Sequence, residues 1–153
     1  MPIDVFISYA HEDIKLLKEL EAHLGQLQKS GIINGWHDGH ILPGSEWRPQ
    51  IIDRLNTAKV ILLLVSSDFI NSDFCYGIEM QRAIERHNAK EACVLPIILR
   101  PLDWEYAPFA KLQVLPTAGK PVSDWPSHDH AFRDIVKGIR QAIEDLNKGA
   151  ATP

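Results

Sequence analysis

The chain has 153 residues, a formal net charge of −4, and 45% hydrophobic residues. This length is sufficient for one domain with a well-buried core. The acidic balance argues against nucleic acid or an anionic membrane as a direct partner. No apolar run approaches the roughly 20 residues that span a bilayer, and the first residues lack a secretory signal. The only cysteines are Cys75 and Cys93, so we expect a reducing, cytoplasmic compartment rather than a disulfide framework.

Three short apolar runs are typical of strands that are covered on both faces of a parallel sheet. They are Val5-Phe6-Ile7, residues 60–65 and residues 92–99. A short edge strand is predicted near Val114-Leu115 or Pro121-Val122. The irregular, proline-rich composition around these last positions favours an edge over the centre of a sheet.

Helical periodicity separates these runs, because apolar residues recur at three- and four-residue steps in four segments. The predicted core contacts are Ile14, Leu17, Leu20, Leu24 and Leu27 in the first helix, Trp47, Ile51 and Leu55 in the second, Ile78, Met80, Ala83 and Ile84 in the third, and Phe132, Ile135, Val136, Ile139, Ala142, Ile143 and Leu146 in the last. We expect Ser45 to cap the second helix, and Ser127 or Asp129 to lie at the start of the last. The stretch 35–44 is rich in glycine and is predicted to be a loop.

Alternating strands and helices predict a flavodoxin-like α/β fold of three layers. The expected parallel sheet has four or five strands in the order 2-1-3-4-5, with helices on both faces. In such sheets ligands bind beyond the carboxyl ends of the strands, where the strand order reverses. Ser8, Tyr9, Ala10 and His11 after the first strand and Ser66 after the third would then share one rim.

Several uses of this architecture require residues that the sequence lacks. No glycine-rich turn ending in Lys and Ser or Thr follows the first strand, which excludes a P-loop. The three-glycine dinucleotide fingerprint is also missing. A phospho-receiver site needs acidic residues where Ser8 and Ser66 end their strands. Two pairs of nearby histidines have no neighbouring cysteines or suitable set of carboxylates, so no metal site is expected.

Four motifs follow one another along the chain. They are Asp4-Val5-Phe6-Ile7-Ser8-Tyr9, Leu42-Pro43-Gly44, Ser72-Asp73-Phe74-Cys75-Tyr76-Gly77-Ile78-Glu79-Met80, and Pro96-Ile97-Ile98 followed by Trp104. In this order they resemble the motifs of TIR (Toll/interleukin-1 receptor) domains, in which the second lies in the BB loop. The chain is most similar to bacterial members. The resemblance assigns residues 1–147 to a TIR domain. The small and polar residues 148–153 are expected to form a flexible tail or a linker to an absent domain.

The resemblance implies one of two roles. Some TIR domains are adaptors that assemble through the BB loop, and others cleave NAD+ in bacterial antiphage defence or in animal and plant cell-death signalling. In the enzymes the glutamate of the third helix is catalytic, and it corresponds to Glu79. The enzymes commonly carry an aromatic residue four positions earlier. Here Phe74 lies five positions before the glutamate, and Cys75 takes the aromatic residue's place.

A single carboxylate is chemically sufficient for NAD+ cleavage. Nicotinamide leaves as a neutral base, so the general acid of ordinary glycoside hydrolysis is not needed. One carboxylate can stabilise the oxocarbenium-like ribosyl cation. The expected site consists of the catalytic Glu79, the substrate-binding residues Ser8, Tyr9, Ala10, His11, Trp36, His40, Ser66, Cys75 and Trp104, and the BB-loop residues Leu42, Pro43 and Gly44. On spacing alone, a solvated helix residue is the commoner role for an isolated glutamate such as Glu79.

We therefore hypothesise an NAD+ glycohydrolase that is activated by self-association in bacterial immune signalling. Its products would be nicotinamide and ADP-ribose or a cyclic variant, with NAD+ as substrate and no cofactor. The expected partners are other TIR domains of the same kind and a sensor domain or partner protein. The first alternative is a non-catalytic scaffold that works through the BB loop. The second alternative is a small nucleotide-binding sensor, which would bind its ligand without forming a product.

Overall fold

The computed structural model describes residues 2–40 and 47–151. The predicted helix cap at Ser45 and the BB-loop residues Leu42, Pro43 and Gly44 lie outside the described residues. The side chains of His40 and of residues 149–151 are likewise outside them.

Four parallel strands form the sheet, in the order β2-β1-β3-β4. They are β1 (Ile3–Ser8), β2 (Ile33–Trp36), β3 (Val60–Val65) and β4 (Cys93–Ile98). This order confirms the predicted flavodoxin-like topology. In the described residues the fifth strand is reduced to one parallel bridge, between Ile97 and Leu115. The next N–H that could extend the ladder belongs to Thr117, and it donates instead to the Asp134 carboxylate at 2.7 Å.

The predicted loop 35–44 is wrong for its first two residues. Gly35 and Trp36 belong to β2, where they pair in register with Val5 and Phe6 of β1. The Trp36 ring also stacks on Phe6 at 5.6 Å between centroids. Pairing with a central strand and aromatic packing outweigh the low strand propensity of glycine.

Helices cover both faces of the sheet. They are α1 (Ile14–His23), α2 (Gly25–Lys29), α3 (Trp47–Thr57), α4 (Ser67–Asn71), a π-helix (Asp73–Glu79), α5 (Met80–Asn88) and α6 (His128–Ala151). The Ser127 hydroxyl accepts a hydrogen bond from the His130 N–H at 3.1 Å, which confirms the predicted start of the last helix. Helix α6 continues to Ala151, while the domain boundary at residue 147 stays a prediction. In the described part of the chain, every helix is too short or too polar to span a lipid bilayer.

The core consists of two hydrophobic clusters because side chains alternate between the two faces of a strand. One cluster packs the sheet against α1 and α6, and the other packs it against α3 and α5. The predicted stripe of α6 is confirmed, with Phe132, Ile135 and Ile139 fully buried. The core predictions for Trp47 and Ile78 are wrong, since these side chains are 53% and 38% exposed.

Arg86 of α5 is a buried cation that lies against the C-terminal end of α3. Its side chain donates hydrogen bonds to the carbonyl oxygens of Leu55 at 2.8 Å, of Ala58, and of Glu91 at 3.2 Å. Two of these carbonyls lie in the last turn of α3 and just beyond it, where helix carbonyls lack partners within the helix. Arg86 therefore joins α5 to α3 by satisfying buried backbone acceptors.

Replacing Arg86 by lysine is expected to lower the free energy of unfolding by about 2 kcal/mol. A lysine ammonium cannot reproduce the planar fork that serves three carbonyls, and it leaves buried acceptors unsatisfied. Urea denaturation followed by circular dichroism measures the change. Arg82→Lys is the matched control on the same helix, because the Arg82 side chain is half-buried and its partners are the side chains of Glu85 at 3.1 Å and Asn56 at 2.6 Å, not backbone carbonyls. Equal losses in the two variants would contradict the capping role.

Candidate active site

A cleft of about 620 Å³ opens at the carboxyl ends of the strands. Its walls come from the turn after β1, from Asp38 after β2, and from the segments that follow β3. Strands β2 and β3 flank β1 on opposite sides, so the strand order reverses at this point. The cleft therefore lies where ligands bind in open α/β sheets.

The structure brings five of the predicted site residues together. Tyr9, Ala10, His11, Cys75 and Glu79 all line this cleft. They come from two distant parts of the sequence, the turn after β1 and the π-helix. Their juxtaposition follows from the pairing of β1 with β3.

Four predicted residues are not among the described residues that line the cleft. Ser8 is buried one position before the cleft wall, and Trp36 packs against Phe6 as described above. Trp104 stacks on Phe109, with 6.5 Å between the ring centroids. Ser66 is fully buried at the end of β3.

Ser66 takes part in a hydrogen-bonded network beneath the rim. Its hydroxyl donates to the Asp13 carboxylate and accepts from the Phe69 N–H at 3.1 Å, which caps α4. The Arg100 guanidinium donates to Asp13 at 2.7 Å and to Asp68 at 2.8 Å. The network ties the turn after β1 to the ends of β3 and β4, so the Ser66 hydroxyl serves the architecture of the rim.

Glu79 is the buried carboxyl of the cleft, with 6% of its surface exposed. Burial raises the pKa of Glu79 to about 7, because the charged form loses its hydration. The Cys75 thiol and the Ser8 hydroxyl act in the opposite direction, and the charge of Asp38 raises the pKa further. Ser8 Oγ has no hydrogen-bond partner of ordinary geometry among the described residues. Its hydroxyl therefore lowers the pKa of Glu79 as a nearby dipole. Near neutral pH this carboxyl is close to its midpoint of titration.

The π-helix determines which side chains accompany Glu79. Its hydrogen bonds join residues five apart, and such segments occur frequently at functional sites. Phe74, five positions before Glu79, therefore lines the cleft together with it, as does Cys75 four positions before. The extra residue in the spacing of this motif is accommodated by the wider helical turn. Ser72 begins the segment, and its hydroxyl accepts from the Cys75 N–H at 3.2 Å.

Cys75 links the π-helix to the rim. Its thiol donates to the carbonyl oxygen of Tyr9 at 3.3 Å. Burial raises the pKa of the Cys75 thiol to about 12, and the nearby charge of Glu79 adds to the effect. The thiol therefore stays protonated at neutral pH, which does not suit a nucleophile. Its role is to position the turn after β1.

An aromatic pair at the mouth of the cleft was missed by the sequence analysis. Trp47 meets Phe74 edge to face, with 5.4 Å between the ring centroids. The Arg48 guanidinium lies 5.5 Å from the Phe74 centroid and 5.9 Å from that of Trp47. Helical periodicity predicts that Trp47 lies in the core. Its position at the first residue of α3 is the one signal that could have placed it at the rim of the sheet. The pair offers a flat surface on which a base can stack.

The floor and walls of the cleft are acidic. Carboxylates come from Glu12, Asp38, Asp68 and Glu79, and no lysine or arginine is among the described lining residues. Asp68 is paired with Arg100, but the other three are not in ion pairs with lysine or arginine in the described residues. The arrangement favours a cationic group near Glu79. The described His, Cys, Asp and Glu side chains form no group that could hold a metal ion.

Comparison with known proteins identifies the family. The family model described as "TIR domain" matches residues 5–136. The uncharacterized protein y4lF of Sinorhizobium fredii (strain NBRC 101917 / NGR234) is 49% identical over 149 residues, which cover 97% of this chain. The chain spans only 46% of that relative's length.

Two solved structures share the fold. The TIR domain of the Toll-related receptor TRR-2 from Hydra magnipapillata matches with a TM-score of 0.64 and 20% identity, over 89% of this chain and 97% of that one. The TIR domains of the activated Roq1 resistosome, which recognises the pathogen effector XopQ, match with a TM-score of 0.52 and 21% identity. That match covers 62% of this chain and 56% of the other.

Proposed function

Because the chain belongs to the TIR domain family, we propose that it is an NAD+ glycohydrolase that cleaves the bond between nicotinamide and ribose. One observation carries the proposal: Glu79 is a buried carboxyl that faces a cleft at the switch point of the sheet. A solvated helix glutamate, the alternative on spacing alone, would be exposed and would have an ordinary pKa.

The chemistry requires one negative charge at the right place. The bond between the nicotinamide nitrogen and ribose C1′ breaks, and its electron pair leaves with neutral nicotinamide. The positive charge passes to the ribosyl oxocarbenium ion, where the Glu79 carboxylate stabilises it in a partly dry site. Water then attacks C1′ and loses a proton, which gives ADP-ribose. Attack by an internal nucleophile of the ADP-ribosyl group would give a cyclic product.

The charges of the cleft suit one end of NAD+. Acidic walls attract the nicotinamide cation, and they disfavour the diphosphate. We place the nicotinamide riboside near Glu79 and a base against Trp47 and Phe74. The exposed Arg48 guanidinium beside these rings is a cation that could bind the diphosphate. The same charges predict a preference for oxidised NAD+ over NADH, whose nicotinamide ring is neutral.

The direct test is incubation of concentrated protein with NAD+, followed by chromatography of the products. We expect nicotinamide to be released in step with ADP-ribose or a cyclic variant. Binding of NAD+ without product would favour the nucleotide sensor instead. If neither binding nor product were detected in concentrated or crowded protein, the non-catalytic scaffold would be the better description.

The activity of the hydrolase should depend on pH through Glu79. Because catalysis needs the carboxylate and the pKa of Glu79 is about 7, kcat/KM is expected to fall about tenfold for each pH unit below that value. Steady-state rates between pH 5.5 and 8.5 measure the profile, with circular dichroism to verify folding at each pH. A flat profile over this range would contradict a role for the ionised carboxyl.

We further propose that activity requires self-association, with the BB loop of a neighbouring copy completing the cleft. The resemblance assigns Leu42, Pro43 and Gly44 to that loop. The loop connects Asp38 to Trp47, both of which line the cleft. In this proposal, NAD+ depletion by the assembled domains is the output in bacterial immune signalling. The specific activity should rise with protein concentration, and an activity independent of concentration would speak for a complete monomeric site.

A further inference from the structure

Two of the unpartnered buried polar atoms belong to residues at the cleft or next to its wall. Within residues 2–40 and 47–151, the buried side-chain atoms without a hydrogen-bond partner are Ser8 Oγ, Asp38 Oδ1 and Arg86 Nε. The last lies in the core, where Arg86 Nε is 3.5 Å from a carboxylate oxygen of Glu91. Of the other two residues, Asp38 lines the cleft, and Ser8 directly precedes Tyr9 in its wall. Buried polar groups in proteins are nearly always satisfied, so an acceptor left open at a cleft points to a ligand.

The two oxygens of the Asp38 carboxylate have different surroundings. Oδ2 lies 3.7 Å from the Nε2 atom of His11. Asp38 is also close enough to the Tyr9 phenol to raise the pKa of that group, although burial is the larger cause. Oδ1 is shielded from water and has no hydrogen-bond partner of ordinary geometry among the described residues. Asp38 is the first residue of the short turn Asp38–His40 that follows β2.

Asp38 and Glu79 line the same cleft from opposite sides of β1. Asp38 follows β2 and Glu79 ends the π-helix beyond β3. Both side chains offer only acceptor oxygens when ionised, so a ligand between them must supply donors. The nicotinamide-side ribose has two neighbouring hydroxyl groups close to C1′, where Glu79 would act.

We propose that Asp38 Oδ1 accepts a hydrogen bond from a hydroxyl group of the ribose that carries nicotinamide, and so holds C1′ against Glu79. This inference rests on the proposed hydrolase function. It makes Asp38 the residue that selects ribose over deoxyribose at this subsite. Glu79 remains the residue that stabilises the cation.

The experiment compares substrates that differ by one hydroxyl group. The kcat/KM for NAD+ and for its analogues lacking the 2′- or the 3′-hydroxyl of the nicotinamide ribose is measured with wild type and Asp38→Ala. For NAD+ we expect a loss of about 10- to 100-fold, the usual effect of one hydrogen bond to a charged group. For one of the two analogues the variant and wild type should agree within about twofold. Ratios between enzymes cancel the different intrinsic reactivities of the substrates.

Two further variants make the result specific. Glu12→Gln removes another carboxylate that lines the cleft, but Glu12 is exposed. This control should change all three substrates by a common factor, because it alters only the charge of the cleft. Asp38→Leu has a branched side chain of similar size without an acceptor oxygen, and it replaces the alanine variant if that one does not fold.

The outcomes separate the two proposals. If wild type cleaves NAD+ and Asp38→Ala loses the same factor on every substrate, the hydroxyl contact is wrong and the hydrolase stands. The same holds if the variant cleaves NAD+ as fast as wild type does. If wild type releases no nicotinamide from NAD+, both proposals are overturned. Loss of ribose selectivity in Asp38→Ala alone supports the contact.

Discussion

Replacing Glu79 by glutamine is expected to lower nicotinamide release from NAD+ by at least about 100-fold. Glutamine has the same shape but cannot carry the negative charge that faces the ribosyl cation. Single fixed groups that stabilise developing charge in enzymes contribute factors of about 10² to 10³ to kcat. The loss should appear mainly in kcat, since the charge matters most when the cation forms.

The matched control is Glu85→Gln, which changes an exposed glutamate of α5, the helix that directly follows the π-helix. The Glu85 side chain is 66% exposed and pairs with Arg82, so its loss should leave turnover within about twofold of wild type. Circular dichroism spectra of both variants verify the fold. Full turnover by Glu79→Gln would remove the catalytic assignment, whatever the control does.

The same substitution is expected to stabilise the protein. Folding raises the pKa of Glu79 from 4.5 to about 7, so the folded state binds this proton more tightly than the unfolded chain. The stabilisation from that proton is fully present below pH 4.5 and is lost as the pH rises through 7. At pH 8 the folded protein must hold a buried charge, at a cost of about 3 kcal/mol. Glutamine avoids this cost.

Urea denaturation at pH 8 and pH 5 measures the effect. Glu79→Gln should exceed wild type by about 3 kcal/mol at pH 8, and the difference should shrink to under about 1 kcal/mol at pH 5. Only the pH dependence of this stability difference tests the buried charge. A difference that is the same at both pH values would reflect how the glutamine amide packs. A stability difference that does not vary with pH would mean that Glu79 is as well solvated in the folded protein as in the unfolded chain.

Together the two effects describe a site that is kept at the expense of stability. A carboxyl that is buried without a cationic partner weakens the fold, yet the same burial leaves it free to face a cationic ligand. Proteins commonly carry such conflicts where they act, and substitutions that relieve them cost function. The open acceptor of Asp38 is a second conflict in the same cleft.

The sequence by itself determined the layers of the fold. Strands covered on both faces must be apolar throughout, so β3 and β4 were recognisable as continuous runs. The stripe of α6 was recognisable because one face of a helix repeats every three to four residues. The resemblance of the ordered motifs to those of TIR domains also pointed to Glu79 and to the turn after β1.

Only the tertiary structure decided which side chains meet. Gly35 and Trp36 become strand because β1 offers them a partner, and no local signal reports a distant partner. The Ser66 hydroxyl is occupied by Asp13, which is 53 residues away in the chain. Asp38 lines the same cleft as Glu79 because β2 and β3 flank β1. Phe74 lines it because the wider turn of the π-helix brings residues five apart to one face. Periodicity reports which face of an element is buried, whereas the site depends on contacts between elements, and those are fixed only when the sheet assembles.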